Sequence, residues 1–258
     1  QGYIIRTQPN SKLQMERQGK FLVQQGFKRV FTLSAQSPFA VPSYELIGGV
    51  IKAAGGEMLG HIVYEANKTA FRSEIDQALR TRPDHIFLNG YIADVTILLR
   101  ELYRAGYDKG KSAPAFAVNN QLMSSLPAEV TEGTTTWAPS PDLQSDAFSK
   151  VRSVLGTQDP DPYSCQTYDH VTMAILSIAA AGSTSGEAMR GAVRKISQGD
   201  GIKVTSAVEG LKLLADGKAI NYEGASGPCD FTETGDITDC KFRFEQAKGG
   251  KLQILSIS

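Results

Sequence analysis

Residues 71–106, FRSEIDQALRTRPDHIFLNGYIADVTILLRELYRAG, decide the fold, because their periodicity changes twice. "FRSEIDQALRTR" and "DVTILLRELYRAG" carry apolar residues at three- and four-residue spacing, and each ends near a basic residue or Gly, as helices with one buried face do. Between them "HIFLNG" (85–90) is a short apolar run that suits a strand. The same alternation recurs on both sides. "GYIIR" (2–6), "RVFTLS" (29–34), "MLGHIVY" (58–64) and "PAFAVN" (114–119) read as further strands, with "LQMERQGKFLVQQG" and "SYELIGGVIKAAG" as helices between them. Five strands joined by four helices predict an open α/β lobe with a parallel sheet.

Beyond about residue 125 the rhythm is lost. "EGTTTWAPS" (132–140) reads as a strand, but helices then follow one another at 143–154, 162–182, 186–196 and 206–216. Helices with one apolar face need something to cover, and residues 140–228 offer almost no strands, so this region reads as a lobe without its sheet. A hairpin and the short alternating strands of "KFRFEQAKGGKLQILSIS" close the chain. The 258 residues hold 27 basic and 27 acidic side chains, a balance that gives no basic face for nucleic acid or anionic membrane. The longest apolar runs, such as "MAILSIAAAG", are about half the ~20 residues a spanning helix needs.

Reactive side chains crowd the stretch "DPDPYSCQTYDHVTMAILSIAAAG" (159–182). Tyr168, Val171, Ile175 and Ile178 step by 3, 4 and 3, which predicts them as the buried stripe of a helix, with Asp169 and His170 off it. Cys165 and His170, five apart, do not share a face for a thiolate–imidazole pair. Asp161 before Pro162 reads as an N-cap and first helical residue, which sets Tyr163 at the helix mouth. His61 and His85 sit inside strand-like runs, with no zinc spacing to the cysteines. No nucleophile elbow, Walker loop or dinucleotide fingerprint is present. "DFTETGDITD" lacks the alternating oxygens and terminal Glu of a calcium loop, and Asn67-Lys68-Thr69 fits the glycosylation triplet with little specificity. These residues predict no enzyme, no catalytic group, no metal and no cofactor.

Two further expectations follow from position. Cys229 and Cys240 lie symmetrically about Thr234-Gly235, where a two-residue turn would oppose them at ~4.5–5.5 Å, inside the disulfide range, so a bridge and an oxidising compartment are expected. Open α/β sheets bind ligands beyond the carboxyl ends of their strands. Phe39 follows "RVFTLSAQS", Asn89 and Tyr91 follow "HIFL", and Asn119 with Asn120 follow "PAFAV". An aromatic and amide rim without a paired acid and base is the chemistry of a binding cleft.

The ordered set "GYIIRTQPN", "RVFTLS", "IKAAGGEML", residues 71–106, "DPDPYSCQTYD", "GSTSGEAMRGAVRKIS" and "INYEGASGPCDFTETGD" resembles the solute-binding proteins of branched-chain amino-acid ABC importers, which are type I periplasmic binding proteins. The resemblance spans nearly the whole chain. It implies a complete C-terminal α/β lobe at 1–135 and 241–258, with 136–240 as the helical part and hairpin of an N-terminal lobe whose first βα units precede the sequence. It implies an extracytoplasmic, periplasmic protein, without a visible signal peptide, that holds a branched-chain or other hydrophobic amino acid in an interlobe cleft by hinge closure and passes it to membrane permease subunits. The alternative it leaves open is a ligand-sensing receptor or regulator domain for amides, urea-like compounds or aromatic carboxylates. By resemblance, Phe39, Tyr91 and Tyr163 match family pocket aromatics, and Asn119 matches the acidic partner of the ligand ammonium. A fragment with an uncovered lobe is also expected to self-associate.

Overall fold

The computed structural model describes residues 2–65 and 68–258. Asn67, and with it the glycosylation triplet, lies outside the described residues. In chain order the elements are α1 (Ser11–Gln24), β1 (Arg29–Ala35), α2 (Ala40–Ala53), β2 (Glu57–Tyr64), α3 (Arg72–Arg80), β3 (His85–Asn89), α4 (Ile92–Arg104), β4 (Gly110–Pro114), α5 (Asn120–Ser125), α6 (Ala128–Thr131) and β5 (Thr134–Pro139). They continue with α7 (Asp146–Leu155), α8 (Pro162–Ala181), α9 (Gly186–Val193), β6 (Ile202–Val204), α10 (Ala207–Ala215), β7 (Ile220–Tyr222), β8 (Phe242–Lys248) and β9 (Lys251–Ile257). The chain divides into a sheet unit, residues 11–138 and 243–257, and a helical unit, residues 1–10, 139–242 and 258. The first ten residues thus group with the helical unit.

The sheet unit has one seven-stranded sheet in the order β2-β1-β3-β4-β5-β8-β9. β1 pairs in parallel with β2 and β3, and β4 in parallel with β3 and β5, while β8 and β9 form an antiparallel hairpin at the edge. Parallel strands flanked by crossover helices are buried on both faces, and β1 and β3 show this: Leu33, Ile86, Phe87 and Leu88 are all inaccessible. On one face helix α4 packs Val95, Leu98, Leu99 and Leu102, the stripe its sequence spacing predicts, with Leu33, Ile86 and Leu88, while Phe87 on the other face meets Trp137. Each such side chain contributes about 1.5–3 kcal/mol by leaving water.

The sequence placed the fourth strand of this sheet too late. β4 is the polar run Gly110–Pro114, and "AFAV" after it is a turn in which the Ala117 and Val118 N–H groups both donate to the Pro114 carbonyl. The polar strand is tolerated because Ser112 is matched inside the core by His85 Nε2 at 2.7 Å and by Gln18 Nε2 at 3.2 Å. "GYIIR" is not a strand either. Among the described residues its ladder contact is the Arg6–Asp236 bridge, and Tyr3 and Ile4 are exposed.

The helical unit carries α7 to α10 and the two-stranded parallel sheet β6-β7. Asp161 caps α8 by accepting from the Tyr163 N–H at 2.9 Å, Pro162 is the first helical residue, and Gly182 ends the helix at φ 59°, a left-handed value that favours glycine. The buried face of α8 is not the predicted one. Val171, Ile175 and Ile178 are 56%, 39% and 36% exposed, whereas Cys165, Asp169, Thr172, Met173 and Leu176 are buried. The apolar stripe has no cover among the described residues of this unit, and α8 turns a mixed face inward instead, Met173 and Leu176 packing with Val204, Ile220 and Tyr222 beside the small and polar Cys165, Asp169 and Thr172. That face works because Asp169 is fully matched. Its carboxylate accepts from Tyr222 Oη at 2.7 Å, from the Ala225 and Ser226 N–H groups at 2.8 Å each, and from Ser226 Oγ. Burial pushes the Asp169 pKa up, and those donors pull against it.

The expected disulfide is not formed. The turn after Cys229 has the register Phe231↔Ile237, with the Thr232 N–H donating to the Asp236 carbonyl and the Thr238 N–H to the Asp230 carbonyl. This centres the turn on Thr234 rather than between Thr234 and Gly235. Continued outward, this register opposes Cys229 to Asp239 rather than to Cys240, and successive side chains of a strand alternate in face.

Candidate functional site

The C-terminal ends of β1, β3, β4 and β5 surround a pocket of about 200 Å³ in the sheet unit. Parallel strands put all four ends on one edge, and the helices that follow or precede them start there. Ala35 ends β1, and Ser37 and Phe39 lead into α2, where Ser43 adds a buried hydroxyl. Asn89 ends β3, and Tyr91 is the N-cap of α4. Gly90 between them cannot carry a side chain, because a Cβ there would fall on the Tyr64 hydroxyl. Pro114 ends β4 and Phe116 sits in the turn beyond it, Trp137 comes from β5, and the first turns of α1 supply Ser11, Gln14 and Met15.

The pocket is aromatic. Phe39 and Tyr91 are 58% and 57% exposed, so their rings are available to a ligand, and Tyr91 lies 5.7 Å from Phe116 at a tilt of 40°. Trp137 is the only tryptophan of the chain and is 2% exposed, packed 5.4 Å from Phe87. The polar groups are hydroxyls and amides from Ser11, Gln14, Ser37, Ser43 and Asn89. Among the described residues no charged side chain lines the pocket. Such a surface binds by apolar burial and a few directional hydrogen bonds, and it has no nucleophile–base pair for covalent chemistry.

The sequence-predicted residues are distributed as follows. Phe39, Asn89 and Tyr91 meet in this pocket. Asn119 is outside its lining and caps α5, its Oδ1 accepting from the Gln121 N–H at 3.0 Å and the Leu122 N–H at 3.1 Å. Tyr163 belongs to the helical unit, in a hollow with Val151, Leu155 and Tyr168, where burial and then Asp161 push its hydroxyl pKa up to about 12. Phe116 and Trp137 were missed. Phe116 was hidden by reading "PAFAVN" as a strand: once the strand ends at Pro114, the ring falls on the loop beyond it. Trp137 carried a usable signal, a large aromatic at the carboxyl end of "TTTW".

The three histidines of the chain sit in contacts outside the pocket lining. His85 is wholly buried against Phe27 and Ser112, and burial, then the Lys111 charge, lowers its pKa to about 3. His61 stacks on Tyr44 at 4.7 Å and bonds Ser34 at 2.9 Å, and His170 Nε2 accepts the Thr7 N–H at 3.1 Å. No group of three or more His, Cys, Asp or Glu side chains among the described residues is placed to hold a metal. No helix of the described residues is long and apolar enough to cross a membrane.

A family model described as periplasmic binding protein matches residues 1–251. The chemotactic signal transduction system substrate-binding protein BasB of Halobacterium salinarum is 23% identical over 238 residues, which are 90% of this chain and 55% of BasB. Among solved structures, a leucine binding protein, LivK, from Thermotoga maritima superposes with a TM-score of 0.78 at 18% identity, covering 96% of this chain and 65% of that one. An ABC transporter solute binding protein of R. palustris in complex with benzoate superposes with a TM-score of 0.73 at 15% identity, covering 98% of this chain and 64% of that one. At such identities the structures show the shared fold. The chain spans between about half and two thirds of the length of these proteins.

Proposed function

The chain belongs to the periplasmic binding protein family, and on that premise we propose that it captures a small apolar solute outside the cytoplasm and delivers it to the permease subunits of an ABC importer. The observation that carries this reading is the aromatic pocket at the carboxyl ends of the parallel strands, where open α/β sheets hold ligands. A hydrophobic amino acid as solute is supported by the likeness to a leucine binding protein, and an aromatic carboxylate by the likeness to a protein holding benzoate. The helical unit belongs, on this reading, to a second lobe whose sheet lies against the exposed face of α8. Its uncovered apolar side chains favour self-association of the chain.

A thermal-shift screen with leucine, valine, aromatic acids, amides and urea tests the proposal. A ligand at 100 times its dissociation constant adds about 2.7 kcal/mol of stability. A stabilising solute whose effect is lost in Phe116→Ala supports the pocket; equal stabilisation of that variant contradicts it. A second reading, a sensor that reports its ligand to a receptor, is supported by the chemotactic role in the name of BasB. Solute-dependent stimulation of the permease ATPase in reconstituted vesicles separates the two: the importer reading requires it, and the sensor reading does not.

A further inference from the structure

The pocket of the sheet unit narrows the class of solute, on the reading that it is the solute site. Its polar groups are neutral hydroxyls and amides. An ammonium brought against them finds oxygens that accept a hydrogen bond but carry no charge to neutralise it, and charge-assisted bonds are roughly twice as strong as neutral ones. A charge left unpaired in such surroundings resists burial.

Two features make a cation still less welcome. Helices α2 and α4 begin at the pocket, with Phe39 and Tyr91 as N-caps that supply no side-chain acceptor, so the partial positive charge of both helix starts faces the same space. The one acid in these first turns, Asp94 of α4, is buried and is not part of the lining. Asn119, which the family resemblance matched to the ammonium partner, has committed its Oδ1 to two N–H groups of α5. What the pocket does offer is flat apolar surface, the Tyr91–Phe116 pair together with Phe39, over a floor closed by the buried Trp137, of the kind against which a ring packs edge-on or offset.

We infer that the solute turns an aromatic ring and no ammonium toward this wall, so that its class is an aromatic carboxylic acid rather than an α-amino acid. The test uses two pairs that differ only in the ammonium: 3-phenylpropanoate against L-phenylalanine, and 4-methylpentanoate against L-leucine. Because Trp137 is the only tryptophan and lines the pocket, its emission reports occupancy in the 258-residue chain. The expected order has 3-phenylpropanoate tightest. Each acid without the ammonium should bind at least ten times more tightly than its amino acid, and Asn89→Asp, which adds a charge to the lining, should shrink that ratio. An amino acid that binds as tightly as its partner overturns the inference and leaves the solute-binding reading standing. Silence from all four ligands also overturns it, and silence extending to the amides and urea of the thermal screen removes the solute-binding reading too.

Discussion

The sheet unit and the helical unit are built from similar helices and treat them in opposite ways. In α4 the apolar stripe Val95, Leu98, Leu99 and Leu102 is inaccessible because strands lie under it. In α8 the equally regular stripe Val171, Ile175 and Ile178 is exposed, and the inward face combines apolar packing by Met173 and Leu176 with a buried carboxylate and its donors. Amphipathic spacing therefore states that a helix has an apolar face, whereas the partner decides which face is buried. The seven-stranded sheet takes up the stripe of α4, whereas the three-residue strands β6 and β7 pack with Met173 and Leu176 of α8 and leave Val171, Ile175 and Ile178 exposed.

That contrast is open to attack at several strengths. The largest effect is expected at Asp169. Asp169→Ala orphans four donors in the helical unit at roughly 1–3 kcal/mol for each buried group left unmatched, so a loss of about 4 kcal/mol or more is expected. Hydrogen exchange should rise in α8 and at 222–226 while β1 and β3 stay protected; unchanged exchange in α8 would mean that the carboxylate is not what holds it. Next comes the core of the sheet unit, where Leu98→Ala should cost about 2–5 kcal/mol in urea titration. A cost under about 1 kcal/mol would remove the claim that the sheet is what fixes α4.

Acid should also weaken the sheet unit through His85. Its folded-state pKa lies near 3, below the unfolded value, so the unfolded chain binds the proton first as pH falls. The stabilisation is complete above about pH 6.5 and is lost progressively as pH falls toward 3, with a few kcal/mol, on the order of 3, gone by pH 4.5. Urea midpoints at pH 7.5 and 4.5, for the natural chain and for His85→Asn, check this: the variant should lose most of the difference between the two pH values. The smallest effect belongs to the exposed stripe. Val171→Ser and Ile175→Ser should each change the stability of dilute chain by no more than about 0.5 kcal/mol. A loss above 2 kcal/mol that grows with protein concentration would show that this face is covered by another copy in solution.

Much of the fold was legible from local rules. β3 and α4 were read from a change in period, and the start of α8 from Asp161-Pro162, whose backbone roles need no tertiary context. What was not legible depended on partners distant in sequence. β4 is polar because His85 and Gln18 receive it, and nothing in "GKSAP" announces that. The register of the turn at 231–237 was misread by one position, enough to separate Cys229 from Cys240. In the pocket, Phe39, Asn89 and Tyr91 stood at strand ends that the sequence marks, while Phe116 was concealed by the misplaced strand.

The claim that solute binds at the strand ends of the sheet unit is tested most directly by hydrogen exchange with and without saturating 3-phenylpropanoate. New protection is expected at 11–15, 37–43, 89–91 and 114–116, which carry most of the pocket lining, with no change across 173–193. Protection confined to 173–193, where the helical unit has its own hollow beside Met173, Met189 and Arg190, would contradict it.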